Sequence, residues 1–152
     1  MNAKPHLLLK ILYGAAAVTA LFTGFGNMPL WGRYYVADLP GLAWSGDFFI
    51  NVNVHILAGS LLLCITTYVL TATMMDERLR NSRMTLSGRI RGFLLAMALA
   101  TGILMVVKNL PGVHFPMATL IVFNFAHMTA ALLFMIAGFL ALIFRYPWRQ
   151  IR

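Results

Sequence analysis

Two histidines stand inside long apolar stretches of this sequence. His55 lies in FFINVNVHILAGSLLL (residues 48–63) and His127 in FPMATLIVFNFAHMTAALL (residues 115–133). Hydrocarbon offers an imidazole no water to bond, so an ionisable side chain at that depth marks a candidate functional position. His55 is seven residues inside its stretch and His127 ten inside its own, counted from the same side. At ~1.5 Å per residue both rings fall ~10–15 Å below one surface. Two imidazoles on two helices at matched depth are the donor set of a low-spin electron-transfer haem, whose iron takes one axial nitrogen on each face.

The other polar and small residues fall at the same level. Thr23-Gly24 and Thr101-Gly102 sit near the corresponding ends of two further apolar stretches. A residue without a Cβ lets a flat macrocycle or a neighbouring helix approach the backbone closely. Asn51 precedes His55 by four residues and Asn124 precedes His127 by three. Each asparagine therefore shares a helix face with its histidine and is a candidate acceptor for the ring N–H that does not face the metal. A purely structural reading competes: intramembrane His and Asn also hydrogen-bond neighbouring helices, and Gly also mediates close packing. On that reading the chain is a cofactor-free membrane anchor. His114, in the loop GVHFP, reads as a boundary residue, and the ten methionines as adaptable apolar filler.

The elements that must position these residues are membrane helices. The chain has 152 residues, is 61% hydrophobic and has a mean hydropathy of +0.80, outside the range of soluble globular domains. Four stretches approach the roughly 20 apolar residues that a bilayer span needs: residues 7–25, 48–72, 92–107 and 117–144. The third is short and is expected to borrow flanking residues; the fourth is long enough to tilt. Lys10 interrupts the first, which reads as a retained helix that snorkels this lysine to the headgroups rather than as a signal peptide. No alternation of the β-barrel kind occurs. The expected fold is a single all-α domain, 1–152: a four-transmembrane-helix bundle.

The formal charge of +8 suits an acidic partner, but its distribution assigns it to topology. Ten of the twelve Lys and Arg residues fall on the side of the N-terminus, and only Arg33 and Lys108 on the other. The positive-inside rule then makes both termini cytoplasmic, with anionic lipid rather than nucleic acid facing the basic side. Trp31, Tyr34, Tyr35 and Trp44 on one side, and Tyr146 and Trp148 on the other, read as interfacial belts. The four acids, Asp38, Asp47, Asp76 and Glu77, all lie outside the spans, which argues against a transporter built on intramembrane carboxylates. The single cysteine, Cys64, excludes an internal disulfide and a cysteine-held iron–sulfur cluster. Without CxxCH there is no covalent c-type haem.

The order TGFG, WGRYY…LPGLAW, His55 with Gly59, Thr101-Gly102 and FPMATLIVFNFAHMTAALL resembles the cytochrome b (gamma) subunits of membrane formate dehydrogenases and of related hydrogenase and thiosulfate reductase complexes. The resemblance runs over nearly the whole chain. It implies a four-helix subunit of the bacterial inner membrane that passes electrons between a periplasmic iron–sulfur or cytochrome partner and quinone. It also implies an electron-transfer subunit rather than a stand-alone enzyme. His55 and His127 match the ligands of that family's periplasmic-side haem. The positions of the second, cytoplasmic-side haem fall at about Lys10, one turn from His6, and near Ala141, where no histidine stands. His6 and His114 lie at opposite membrane edges, so the expectation is one haem b. The expected site residues are His55 and His127 as metal ligands, with Gly24, Gly102, Asn51 and Asn124 around them. Arg33 or Lys108 would neutralise a haem propionate. Quinone is expected in the periplasmic half, near Arg33, Asn51, Lys108 and His114, or on a neighbouring subunit.

Overall fold

A computed structural model of the chain describes residues 7–28 and 35–150. Arg33, His6, Trp31 and Tyr34 lie outside the described residues. The chain divides into two compact units, Met1–Leu70 and Thr71–Arg152.

The first unit holds α1 (Leu7–Gly26) and most of α2 (Phe48–Met75), with two short 3-10 turns, Val36–Asp38 and Ala43–Gly46, before α2. The start of α2 is fixed by Asp47, whose Oδ1 accepts the Ile50 N–H at 3.0 Å while its carbonyl takes that of Asn51 at 2.9 Å. Such a cap satisfies donors that the first helical turn leaves open. Trp44, from the expected belt, rests against Phe22 of α1 with ring centroids 5.9 Å apart. The buried apolar residues of this unit are Ala16, Ala58, Leu62 and Ile65, a narrow seam in which the small residues suit close helix approach.

The second unit contains the end of α2, a single turn α3 (Glu77–Asn81), α4 (Leu86–Val107), α5 (Met117–Ile143) and a two-residue bridge of β1 (Arg83–Met84) with β2 (Arg149–Gln150). Thr85 caps α4 by accepting the Gly88 N–H at 2.9 Å. The same hydroxyl donates to the Pro147 carbonyl at 2.6 Å, and the Thr85 N–H donates to the Trp148 carbonyl at 3.1 Å. Arg91, one turn further along α4 and buried, donates to the Tyr146 carbonyl at 3.1 Å and lies 4.1 Å over the Trp148 ring. A cation on an aromatic face is favourable, more so when desolvated. α5 ends in a Schellman turn. Arg145 adopts φ +54, the Tyr146 N–H reaches the Ala141 carbonyl at 2.9 Å and the Arg145 N–H reaches Leu142 at 3.4 Å. The tail after α5 is thus folded back onto the start of α4.

Among the described residues four helices, α1, α2, α4 and α5, are long and apolar enough to cross a membrane. Their apolar side chains stay largely uncovered by protein, Leu57 at 69% and Leu142 at 79% exposure among them. Apolar surface on that scale is suited to lipid and not to water. Three spans match the expected bounds to within three residues. The third begins at Leu86 instead of residue 92, because Thr85 caps the helix ahead of Arg89 and Arg91, whose charge ends the apolar stretch without ending the helix.

Candidate cofactor site

Each unit contains the same small construction. In the first, Thr23 is fully buried near the end of α1. Its hydroxyl donates to the Thr19 carbonyl at 2.7 Å, with Ala20 at 3.3 Å, and stands 3.0 Å from His55 Nδ1. In the second, the Thr101 hydroxyl on α4 donates to Met97 at 2.7 Å, with Ala98 at 3.2 Å, and stands 3.1 Å from His127 Nδ1 on α5. The His127 Nδ1 also lies 3.0 Å from the Ala98 carbonyl.

The glycine after each threonine completes the seat. A Cβ built on Gly24 would meet His55 Cε1 at 3.3 Å, and one on Gly102 would meet His127 Cε1 at 3.2 Å. Either distance is inside the roughly 3.5–4.0 Å optimum of a carbon pair. The Nδ1–Cε1 edge of each ring therefore rests on a Thr-Gly step, where any added Cβ would push the ring back by a few tenths of an ångström. The sequence points to Gly24 and Gly102 as close-approach positions; the structure makes each the bed of one histidine. Thr23 and Thr101 are the residues that sequence reasoning passed over as hydrogen-bond partners. Their signal was visible in the repetition of Thr immediately before Gly on both helices.

The asparagines go elsewhere. Asn51, 1% exposed, donates its amide hydrogens to the Thr23 carbonyl at 3.0 Å and to Asn27 Oδ1 at 2.9 Å. It ties the last turn of α1 to the first turn of α2 and leaves its own Oδ1 buried with no donor among the described residues. Gly26 makes room for it: a Cβ there would be 2.8 Å from Asn51 Nδ2. Asn124 is exposed and donates to Leu120, one turn back on its own helix, at 2.9 Å. The acceptor beside each imidazole is thus a threonine, where an asparagine was expected. Lys108 is half-buried at the end of α4, its N–H on the Leu104 carbonyl at 3.0 Å, and His114 is exposed in the α4–α5 loop. Lys10 is exposed on α1, and Ala141 is buried on α5.

Among the described residues no group of three or more His, Cys, Asp or Glu is placed to hold a metal, whereas a haem brings four nitrogens of its own and needs only axial ligands. With Nδ1 engaged by threonine, the ring nitrogen suited to iron at both histidines is Nε2. No family model, curated protein or solved structure matches this chain.

Proposed function

We propose that the chain is a b-type cytochrome subunit of a respiratory complex in a bacterial inner membrane, with both termini cytoplasmic. It relays electrons between a periplasmic iron–sulfur or cytochrome partner and quinone. His55 and His127 would hold one low-spin haem b. When bound, the haem supplies a one-electron iron couple. The chain's own residues hold it: Thr23 and Thr101 engage Nδ1 of the two rings, Gly24 and Gly102 seat them, and apolar helix surfaces exclude water. Lys108, with Arg33, is the cation available to a propionate on the periplasmic side.

The observation that carries this reading is the duplicated seat. Two imidazoles, each engaged at Nδ1 by a hydroxyl and bedded on a glycine with near-equal distances, support a pair of histidines that would hold one haem in like fashion. Helix stapling alone gives no reason for both sites to share one geometry.

The test is the visible spectrum of protein purified from haem-replete cells. A reduced low-spin b-type spectrum is expected, with haem near one per chain, and its loss in His55→Ala and in His127→Ala. Protein without haem would leave the cofactor-free anchor as the reading. A ratio near two would show that Lys10 or His6 serves a second site.

A further inference from the structure

We propose that Thr23 and Thr101 are positioning residues that lock His55 and His127 in the Nδ1–H tautomer, leaving the basic lone pair of each ring on Nε2. The purpose given to this lock rests on the haem reading above; the lock itself is a property of the chain alone.

The proton count demands it. A threonine hydroxyl has one hydrogen and two lone pairs, and a peptide carbonyl has no hydrogen to give. At Thr23 the short contact to the Thr19 carbonyl, 2.7 Å, takes the hydroxyl hydrogen. The 3.0 Å contact to His55 Nδ1 must then be filled from the ring, as N–H donating to oxygen. At Thr101 the 2.7 Å contact to Met97 does the same, and the 3.1 Å contact to His127 Nδ1 is again donated by the ring. A second observation reaches the same result at His127 independently. The Ala98 carbonyl, 3.0 Å from Nδ1, can only accept. Were Nδ1 the unprotonated nitrogen, its lone pair would oppose that of the carbonyl in a low-dielectric setting.

The residue types are those the task requires. Threonine in a helix interior commonly back-bonds to the carbonyl four residues earlier, and its branched Cβ limits the rotamers that permit this. The hydroxyl is therefore oriented before the histidine arrives. Back-bonding alone accounts for the hydroxyl's hydrogen. It does not account for an imidazole nitrogen placed on the remaining lone pair twice, each time beside a glycine that accommodates Cε1. Two contacts on one ring edge, hydroxyl at Nδ1 and glycine at Cε1, also fix the ring's rotation, so Nε2 is pre-aimed. Hydrogen bonding at Nδ1 strengthens donation from Nε2 to a bound metal and so favours the oxidised iron.

The experiment is nitrogen NMR of the full-length protein in detergent, labelled at histidine and free of haem, with rings assigned by His→Gln variants. In the wild type, His55 and His127 are expected as Nδ1–H tautomers. His6 and His114 serve as internal references. Thr23→Val should weaken the Nδ1–H signature of His55, whereas Thr101→Val should shift the Nδ1 resonance of His127 with the N–H form kept by the Ala98 carbonyl, each changing the wild-type pattern of one ring without moving the other. Thr23→Ser and Thr101→Ser should restore it, which separates the hydroxyl from mere packing. In haem-loaded protein the valine variants should raise the midpoint potential while keeping a low-spin spectrum, and the serine variants should return it. Wild-type rings in the Nε2–H form, or valine variants with unmoved nitrogen resonances, would overturn the lock. Expected tautomers in a protein that takes up no haem would support the lock and sink the haem reading instead, so the two fail separately.

Discussion

One added methyl group at Gly24 or Gly102 probes the histidine seats directly. The ideal Cβ would stand 3.3 Å from His55 Cε1 in the first case and 3.2 Å from His127 Cε1 in the second. Carbon pairs settle at about 3.5–4.0 Å, so each ring must retreat by roughly 0.2–0.8 Å. That retreat stretches the Nδ1 contact to threonine, now 3.0 Å at His55 and 3.1 Å at His127, toward the ~3.5 Å beyond which a hydrogen bond is no longer useful. Losing it costs about 0.5–1.5 kcal/mol. At about 1.4 kcal/mol per decade, haem affinity should fall about two- to tenfold in each alanine variant. The controls are Gly59 on α2 and Gly138 on α5, where an added Cβ meets nothing within 4 Å. Alanine there forfeits no contact and gains about 0.5–1 kcal/mol of helix stability. The assay is titration of haem into solubilised apoprotein, followed by absorbance, with circular dichroism to verify helicity. Equal affinities for Gly24→Ala, Gly102→Ala, Gly59→Ala and Gly138→Ala would refute the seat as a ligand-positioning device.

Three further outcomes follow from contacts within single units. Asn51→Leu removes one buried and one part-buried hydrogen bond between the end of α1 and the start of α2 and should lower stability by about 1–3 kcal/mol, read as an earlier thermal unfolding transition in detergent. Gly88→Ala places a methyl group against the Trp148 carbonyl, so the tail should leave α4; expect a red-shifted Trp148 emission, resolved by replacing the other two tryptophans with Phe, and faster proteolysis after Arg149. Arg145→Gly relieves the left-handed backbone of a non-glycine residue at φ +54. It should stabilise the α5 terminus by up to about 1 kcal/mol, seen as slower amide exchange at Tyr146.

The elements were largely legible because bilayer-length apolar runs report themselves through composition alone. Where charge and helix overlap, as at Arg89 and Arg91, the apolar criterion began six residues late, at 92 instead of Leu86, since the cap at Thr85 is a local hydrogen bond that hydropathy does not register. The bridge of Arg83–Met84 with Arg149–Gln150 was out of reach for another reason: it joins segments separated by two long helices, and nothing in either pair of residues marks its partner. For the candidate site, spacing pointed to His55, His127, Gly24 and Gly102, and the structure pairs each histidine with one of the two glycines. Spacing assigned the acceptor role to Asn51 and Asn124 because helix periodicity sees only neighbours on the same helix. The acceptors come from the other helix of each unit, and only the pairing of α1 with α2, and of α4 with α5, reveals Thr23 and Thr101.

The choice of threonine follows from the same physics that keeps acids out of these spans. A carboxylate would be the stronger partner for an imidazole N–H, but taking its charge out of water costs several kcal/mol unless a counter-ion comes with it. All four acids of this chain lie outside the long helices. A hydroxyl carries no charge, and its own hydrogen is satisfied by the helix that bears it, at 2.7 Å in both units. The Nδ1 side of each ring is therefore satisfied within its own helix pair, through hydroxyl to carbonyl, without a charge in lipid. The cost is weaker electron donation to a bound iron than a carboxylate would give. A Thr→Asp change at either seat should therefore trade membrane stability for a lower potential, and the sign of that trade distinguishes a ligand-tuning hydroxyl from a packing residue.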